Sequence, residues 1–89
     1  MNNYSKIIKP TINQLINDHT NLVKKISWHL HGRVNSIVDI EDIIQIGMLG
    51  LISAAQNYIP QKNASFASYA SIRIKGEILD YLRKSSNLD

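Results

Sequence analysis

Apolar residues recur at helical spacing over three stretches of the chain, and strict alternation is absent. In the first stretch Ile12, Leu15, Ile16, His19, Leu22, Val23, Ile26 and Leu30 fall three or four residues apart. Thr11 suits the cap of this helix, with Gln14 at the N3 position to complete a capping box. The pattern runs to about His31 and stops at Gly32, a residue suited to a helix C-terminus. A break near Asp18 would divide it into a short and a long piece. Trp28 is expected to pack in the core. Asn35 and Ser36 read as a connecting turn. The second helix is predicted from about Ile40 to Tyr58, with Asp39 as its cap and Asp42 at N3. Pro60 ends it, and residues 59–64 form a loop in which Asn63 can take a left-handed turn conformation. The third helix opens at Ala64 or Ser65 and runs to about Lys84. The expected architecture is all-α, a small bundle of three to four helices. Residues 1–11 read as a flexible lead-in, 12–84 as the helical domain and 85–89 as a frayed tail.

Two of these helices carry more than one informative face. On the second, Ile44, Gly47, Met48, Leu51, Ala55 and Tyr58 make one stripe. Asp42, Gln45, Ile46, Leu49, Ile52 and Gln56 make another, nearly opposite. A helix apolar on both sides is central to a core or presents one side to a partner. So few helices can hardly surround a central one, so a partner is expected on the Gln45 and Leu49 side. Gly47 and Gly50 each cost about 1 kcal/mol of helix stability relative to Ala, and suit a place where a neighbouring helix comes close. On the third helix Ala67, Ala70, Ile74, Ile78 and Leu82 form the core stripe. Tyr69, Arg73, Gly76, Asp80 and Arg83 lie on the other side. Aromatic rings stack on unpaired bases and guanidinium groups bind phosphate, so this face suits single-stranded nucleic acid.

Composition narrows the function classes. The chain has 89 residues and is 44% hydrophobic, enough for one domain with a modest core. It has no cysteine, which excludes thiol chemistry and fits a reducing cytoplasm. No apolar run reaches the length of a membrane span. The net charge of +3 is unevenly spread: residues 1–33 carry +4, residues 34–60 carry −3 and residues 61–89 carry +2. Asp39, Glu41 and Asp42 gather where carboxylates suit the dipole of the second helix. His29 and His31 are two apart and point different ways on a helix, so no metal site is expected from the histidines. GMLG lies within a helix and is no phosphate loop. Glu77 and Asp80 read as surface ion-pair partners of Arg73 and Lys84. With no catalytic constellation, the chain reads as a non-enzyme that needs no cofactor.

The run EDIIQIGMLGLISAAQNYIPQKNASFASYASIRIKGEILDYLRK closely resembles region two of bacterial RNA polymerase sigma factors. The pattern D-[LI]-I-Q-x-G-x-x-G-L followed by F-x-x-Y-A-x-x-x-I-[RK] carries the resemblance. NLVKKISWHLHGRV looks like the preceding helix of the family. The ending RIKGEILDYLRK looks like the flagellar, or motility, class. The resemblance covers roughly residues 15–84. It implies a helical domain that docks on the coiled coil of the polymerase beta-prime subunit, recognises the promoter −10 element and holds the melted non-template strand. Matched by motif, the polymerase-facing positions are Asp42, Gln45, Ile46, Met48 and Ile52, and Leu49 joins them from the surplus face. The strand-facing positions are Tyr58, Lys62, Phe66, Tyr69, Arg73 and Lys75. Gly76, Leu79 and Arg83 match the part that approaches the −10 duplex. An extruded base would stack near Tyr69 over the loop.

Some positions depart from the family pattern. Ile72 and Arg73 stand where housekeeping sigma factors have adjacent tryptophans, which favours an alternative sigma factor. Asn63 replaces a common turn glycine, and Ile46 an acidic residue. The family's linker and its helix-turn-helix domain for the −35 element are not in these 89 residues. The chain is expected to be an excised domain or a naturally short relative, able to dock on polymerase but poor at directing promoter-specific initiation alone. A second reading is a protein-interaction module that binds polymerase or an anti-sigma protein without engaging DNA. It would not need the Tyr69 and Arg73 face. A generic helical DNA-binding domain fits less well, because the glycine-bearing last helix makes a poor major-groove reader.

Overall fold

The computed structural model describes residues 10–34, 38–60 and 64–85. Among these residues are four helices: α1 (Ile12–Asp18), α2 (Thr20–His31), α3 (Ile40–Asn57) and α4 (Phe66–Ser85). The expected all-α bundle is the observed fold. The lead-in before Pro10, the Asn35–Ser36 turn, Asn63 and residues 86–89 of the tail lie outside the described residues. Among the described residues no helix is long and apolar enough to cross a membrane.

Local chemistry sets the helix ends. At Thr11 the capping box is complete, with Thr11 Oγ1 accepting from the Gln14 amide at 3.1 Å and Gln14 Oε1 from the Thr11 amide at 2.8 Å. The expected break falls at His19, whose Nδ1–H donates to the Leu15 carbonyl at 2.7 Å. The helix restarts at Thr20, so one amphipathic pattern becomes two helices. Asp39 caps α3 by accepting from the Glu41 amide at 3.3 Å. Ser65 caps α4 through the Ser68 amide at 3.1 Å. His31 Nε2–H donates to the Val38 carbonyl at 3.1 Å and ties the end of α2 to the approach of α3.

The core is built from Val23 and Ile26 of α2, Ile43, Leu51, Ala54 and Ala55 of α3, and Phe66, Ala70, Ile74, Ile78 and Leu82 of α4. The two buried glycines of α3 explain how these helices approach. A β-carbon on Gly47 would fall 2.9 Å from Val23 Cγ1 and 3.2 Å from Ile78 Cδ1, so Gly47 faces α2 and α4 at once. One on Gly50 would fall 2.9 Å from Ile74 Cα and 3.0 Å from the Arg73 carbonyl oxygen, so there α4 lies backbone against backbone.

Three core expectations are corrected. Trp28 is 56% exposed, because it lies well round α2 from the buried Val23, Ile26 and Ser27; its ring stands edge to face with that of His31, with centroids 5.8 Å apart. Ala67 is exposed in the first turn of α4, where Phe66 and Ala70 close the core instead. On α3 the buried arc is turned toward Ile43, Gly50 and Ala54, leaving Ile44 and Met48 half-buried at its edge. The reason is that α3 packs against two helices. Gly47, Gly50 and Ala54, spaced three and four apart, are the sequence trace of that close packing.

Candidate nucleic-acid and partner interfaces

The outer side of α3 remains open. Gln45 and Asp42 are exposed, Leu49 is 59% exposed, and Ile46, Met48 and Ile52 are half-buried along the same side. A leucine this exposed, bordered by partly buried aliphatic groups and a glutamine amide, forms an apolar patch with one polar handle. Such a patch suits the surface of another protein better than phosphate. Asp42 adds a carboxylate at the helix N-terminus.

The second surface lies on α4 and the end of α3. Tyr58 closes α3: its hydroxyl donates to the Ala64 carbonyl at 2.8 Å, which ties the end of α3 to the approach of α4. Its ring meets Tyr69 with centroids 5.6 Å apart and planes tilted by 41°. Asn57, Tyr58, Ile59, Ala64 and Tyr69 line an open cleft of about 160 Å³. One turn beyond Tyr69, Arg73 Nη2–H donates to Ser53 Oγ at 3.0 Å. Lys75, Gly76 and Arg83 are exposed farther along α4, and Leu79 is 43% exposed. Lys84 is engaged with Asp80 at 3.1 Å, one of the two ion pairs expected on this helix. Arg73 bonds Ser53 where the sequence pattern pointed to Glu77.

Phe66 requires a correction. Expected to face a DNA strand, it is 7% exposed and belongs to the core. Its ring is clamped edge-on by His19 at 4.7 Å and Tyr58 at 5.2 Å. It joins His19, at the α1–α2 break, to Tyr58, which lines the cleft. Tyr69, read from the sequence as facing outward, is half-buried, packed against the edge of the core and beside the Tyr58 ring. Lys62 lies outside the described residues. Sequence reasoning missed Ser53, Asn57, Ile59 and Ala64. The trace of the first two is a polar pair four residues apart directly before Tyr58.

The family model described as Sigma-70 region 2 matches residues 15–87. The chain belongs to the sigma-70 region 2 family. Its relatives include the RNA polymerase sigma factor FliA of Pseudomonas aeruginosa, 51% identical over 71 residues, which cover 80% of this chain and 29% of that protein. The RNA polymerase sigma factor for flagellar operon of Vibrio parahaemolyticus is 35% identical over 72 residues, 81% of this chain and 30% of that protein. The RNA polymerase sigma-D factor of Bacillus subtilis is 38% identical over 63 residues, 66% of this chain and 24% of that protein. The region-two, flagellar-class resemblance carried by the motifs is thus also found by whole-domain comparison. This region-two chain spans less than a third of the length of these relatives.

Proposed function

We propose that this region-two domain acts in transcription initiation as the part of an alternative, motility-type sigma factor that binds core RNA polymerase and the promoter −10 element. One observation carries the reading: apart from the buried Phe66 and from Lys62, which is not among the described residues, the residues the motif assigns to two ligands fall on two open faces of one small bundle, which adjoin where Arg73 bonds Ser53. The α3 face, Asp42, Gln45 and Leu49 flanked by Ile46, Met48 and Ile52, has the chemistry of a protein contact and would take the beta-prime coiled coil. The α4 face has the chemistry of a strand contact. Tyr69 offers a ring to an unpaired base in the cleft it shares with Tyr58, and Arg73, Lys75 and Arg83 offer cations to phosphates. Gly76 lets backbone approach closely, and Leu79 gives an apolar surface toward the duplex. Lys62, between α3 and α4 in the sequence, would add a further phosphate contact. The domain works without a cofactor and without catalysis, inside the cytoplasm where polymerase resides. An anti-sigma protein could compete for the α3 face, since the patch there suits any helical protein partner.

The test is a polymerase pull-down. Changing Gln45→Ala with Leu49→Glu alters two exposed side chains and should leave helicity and Tm nearly unchanged while abolishing capture by core polymerase. If the double variant unfolds, the face is structural. If it folds and is still captured, docking occurs elsewhere.

A further inference from the structure

We infer that Ser53 is a positioning residue for Arg73, presenting its guanidinium to the phosphate that adjoins a base held against Tyr69. The inference rests on the strand-binding reading above. Arg73 is fixed at two points on α3. Its carbonyl packs against Gly50, where a β-carbon would come within 3.0 Å of the oxygen. Its guanidinium, although exposed, donates to Ser53 Oγ at 3.0 Å, three residues farther along α3. Ser53 is in turn braced by Asn57, whose Nδ2 donates to the Ser53 carbonyl at 2.8 Å and reaches Ser53 Oγ at 3.5 Å. Asn57 also lines the cleft shared with Tyr69. One small network therefore runs from the cleft wall to the cation that lies a single helical turn past Tyr69.

The chemistry of serine matters here. A long exposed arginine loses rotamer freedom when a phosphate fixes it, and a side chain already held in place loses less. The bond to Ser53 engages one of five N–H donors and leaves the rest of the fork for a phosphate. A neutral hydroxyl orients the guanidinium and keeps its charge. A carboxylate at the same place would pair with it and compete with the phosphate.

The experiment measures affinity for the −10 non-template single strand across a salt series, with the 89-residue chain bound to core polymerase. Ser53→Ala removes one half-buried oxygen from a helix and should keep the fold. It should weaken binding about two- to tenfold, the cost of fixing one mobile side chain, with an unchanged salt slope. Ser53→Thr retains the hydroxyl and should bind like the parent. Ser53→Asp should weaken binding and flatten the slope by about 0.7, the loss of one neutralised phosphate on a single strand. Arg73→Ala should flatten the slope by the same amount, and adding Ser53→Ala to it should change nothing further. Ser53→Ala binding as tightly as the parent, or an effect that persists in the Arg73→Ala background, would overturn the positioning role and leave the strand reading standing. Full affinity and slope in Arg73→Ala would remove Arg73 from the strand contact and overturn the inference, and the strand reading itself falls if Tyr69→Ala, folded, also binds as tightly as the parent.

Discussion

The three helical glycines Gly47, Gly50 and Gly76 predict three different outcomes for one substitution. Each sits inside a helix, so alanine gains about 1 kcal/mol of helix propensity at every site. What differs is the space. At Gly76 none of the described residues comes within 4 Å of the new β-carbon, so the gain should appear in full as about 1 kcal/mol of added stability. At Gly50 the new carbon meets Ile74 Cα at 2.9 Å and the Arg73 carbonyl oxygen at 3.0 Å. Backbone atoms cannot rotate away, so α3 and α4 must separate. Overpacking of this kind costs about 1–3 kcal/mol, and a clash with backbone belongs at the upper end. The net loss for Gly50→Ala is then about 1–2 kcal/mol. At Gly47 the obstacles are the side-chain atoms of Val23, Ile78 and Ser27, at 2.9, 3.2 and 3.2 Å, which can yield by a few tenths of an ångström. Gly47→Ala should fall between, within about 1 kcal/mol of the parent. The assay is thermal and urea unfolding followed by circular dichroism, in which 1 kcal/mol moves the Tm of so small a domain by about 4–8 °C. The order Gly76→Ala above Gly47→Ala above Gly50→Ala is the expected result. A Gly50→Ala variant as stable as the parent would refute the argument from close packing.

Other variants test other parts of the fold. Ser27 is fully buried and its hydroxyl has no hydrogen-bond partner among the described residues, so Ser27→Ala should raise stability by about 1 kcal/mol in the same unfolding assay. Thr11→Ala breaks the capping box and should cost about 1 kcal/mol. Because no residue of α1 is fully buried, that loss should appear in hydrogen exchange as faster opening of α1 while α3 and α4 keep their protection. Trp28→Ala should change Tm by no more than a few degrees, since the indole is mostly in water. A loss of ~3 kcal/mol or more would place Trp28 in the core after all.

The helices were legible in the sequence because their starts are chemical. Thr11 with Gln14, and Asp39 before a run of apolar residues, announce helix ends that the backbone then adopts. The open face of α3 was legible too, since it follows from counting apolar positions against the neighbours available to cover them. What stayed hidden depends on contacts between helices. Phe66 sits in a motif that reads as strand-facing, yet His19 comes to its edge only because the first helix breaks and turns. Arg73 has Glu77 one turn away in sequence, but the hydroxyl it meets is Ser53, twenty residues earlier on the adjoining helix. Trp28 misled for a simpler reason: large apolar residues are expected inside, although its own position on α2 turned it outward.

The central claim is that the Tyr69 face receives an unpaired base, and one comparison tests it most directly. Affinity for the −10 non-template single strand is measured for the parent, Tyr69→Phe and Tyr69→Ala, each bound to core polymerase, with Tm recorded alongside. Tyr69 is half-buried against Tyr58, so Tyr69→Ala should cost less than the ~3 kcal/mol of a core aromatic and remain folded. It should lose about 1–3 kcal/mol of strand affinity, the worth of one stacked base, while Tyr69→Phe keeps most of it. A folded Tyr69→Ala domain that binds the strand as tightly as the parent would contradict the account.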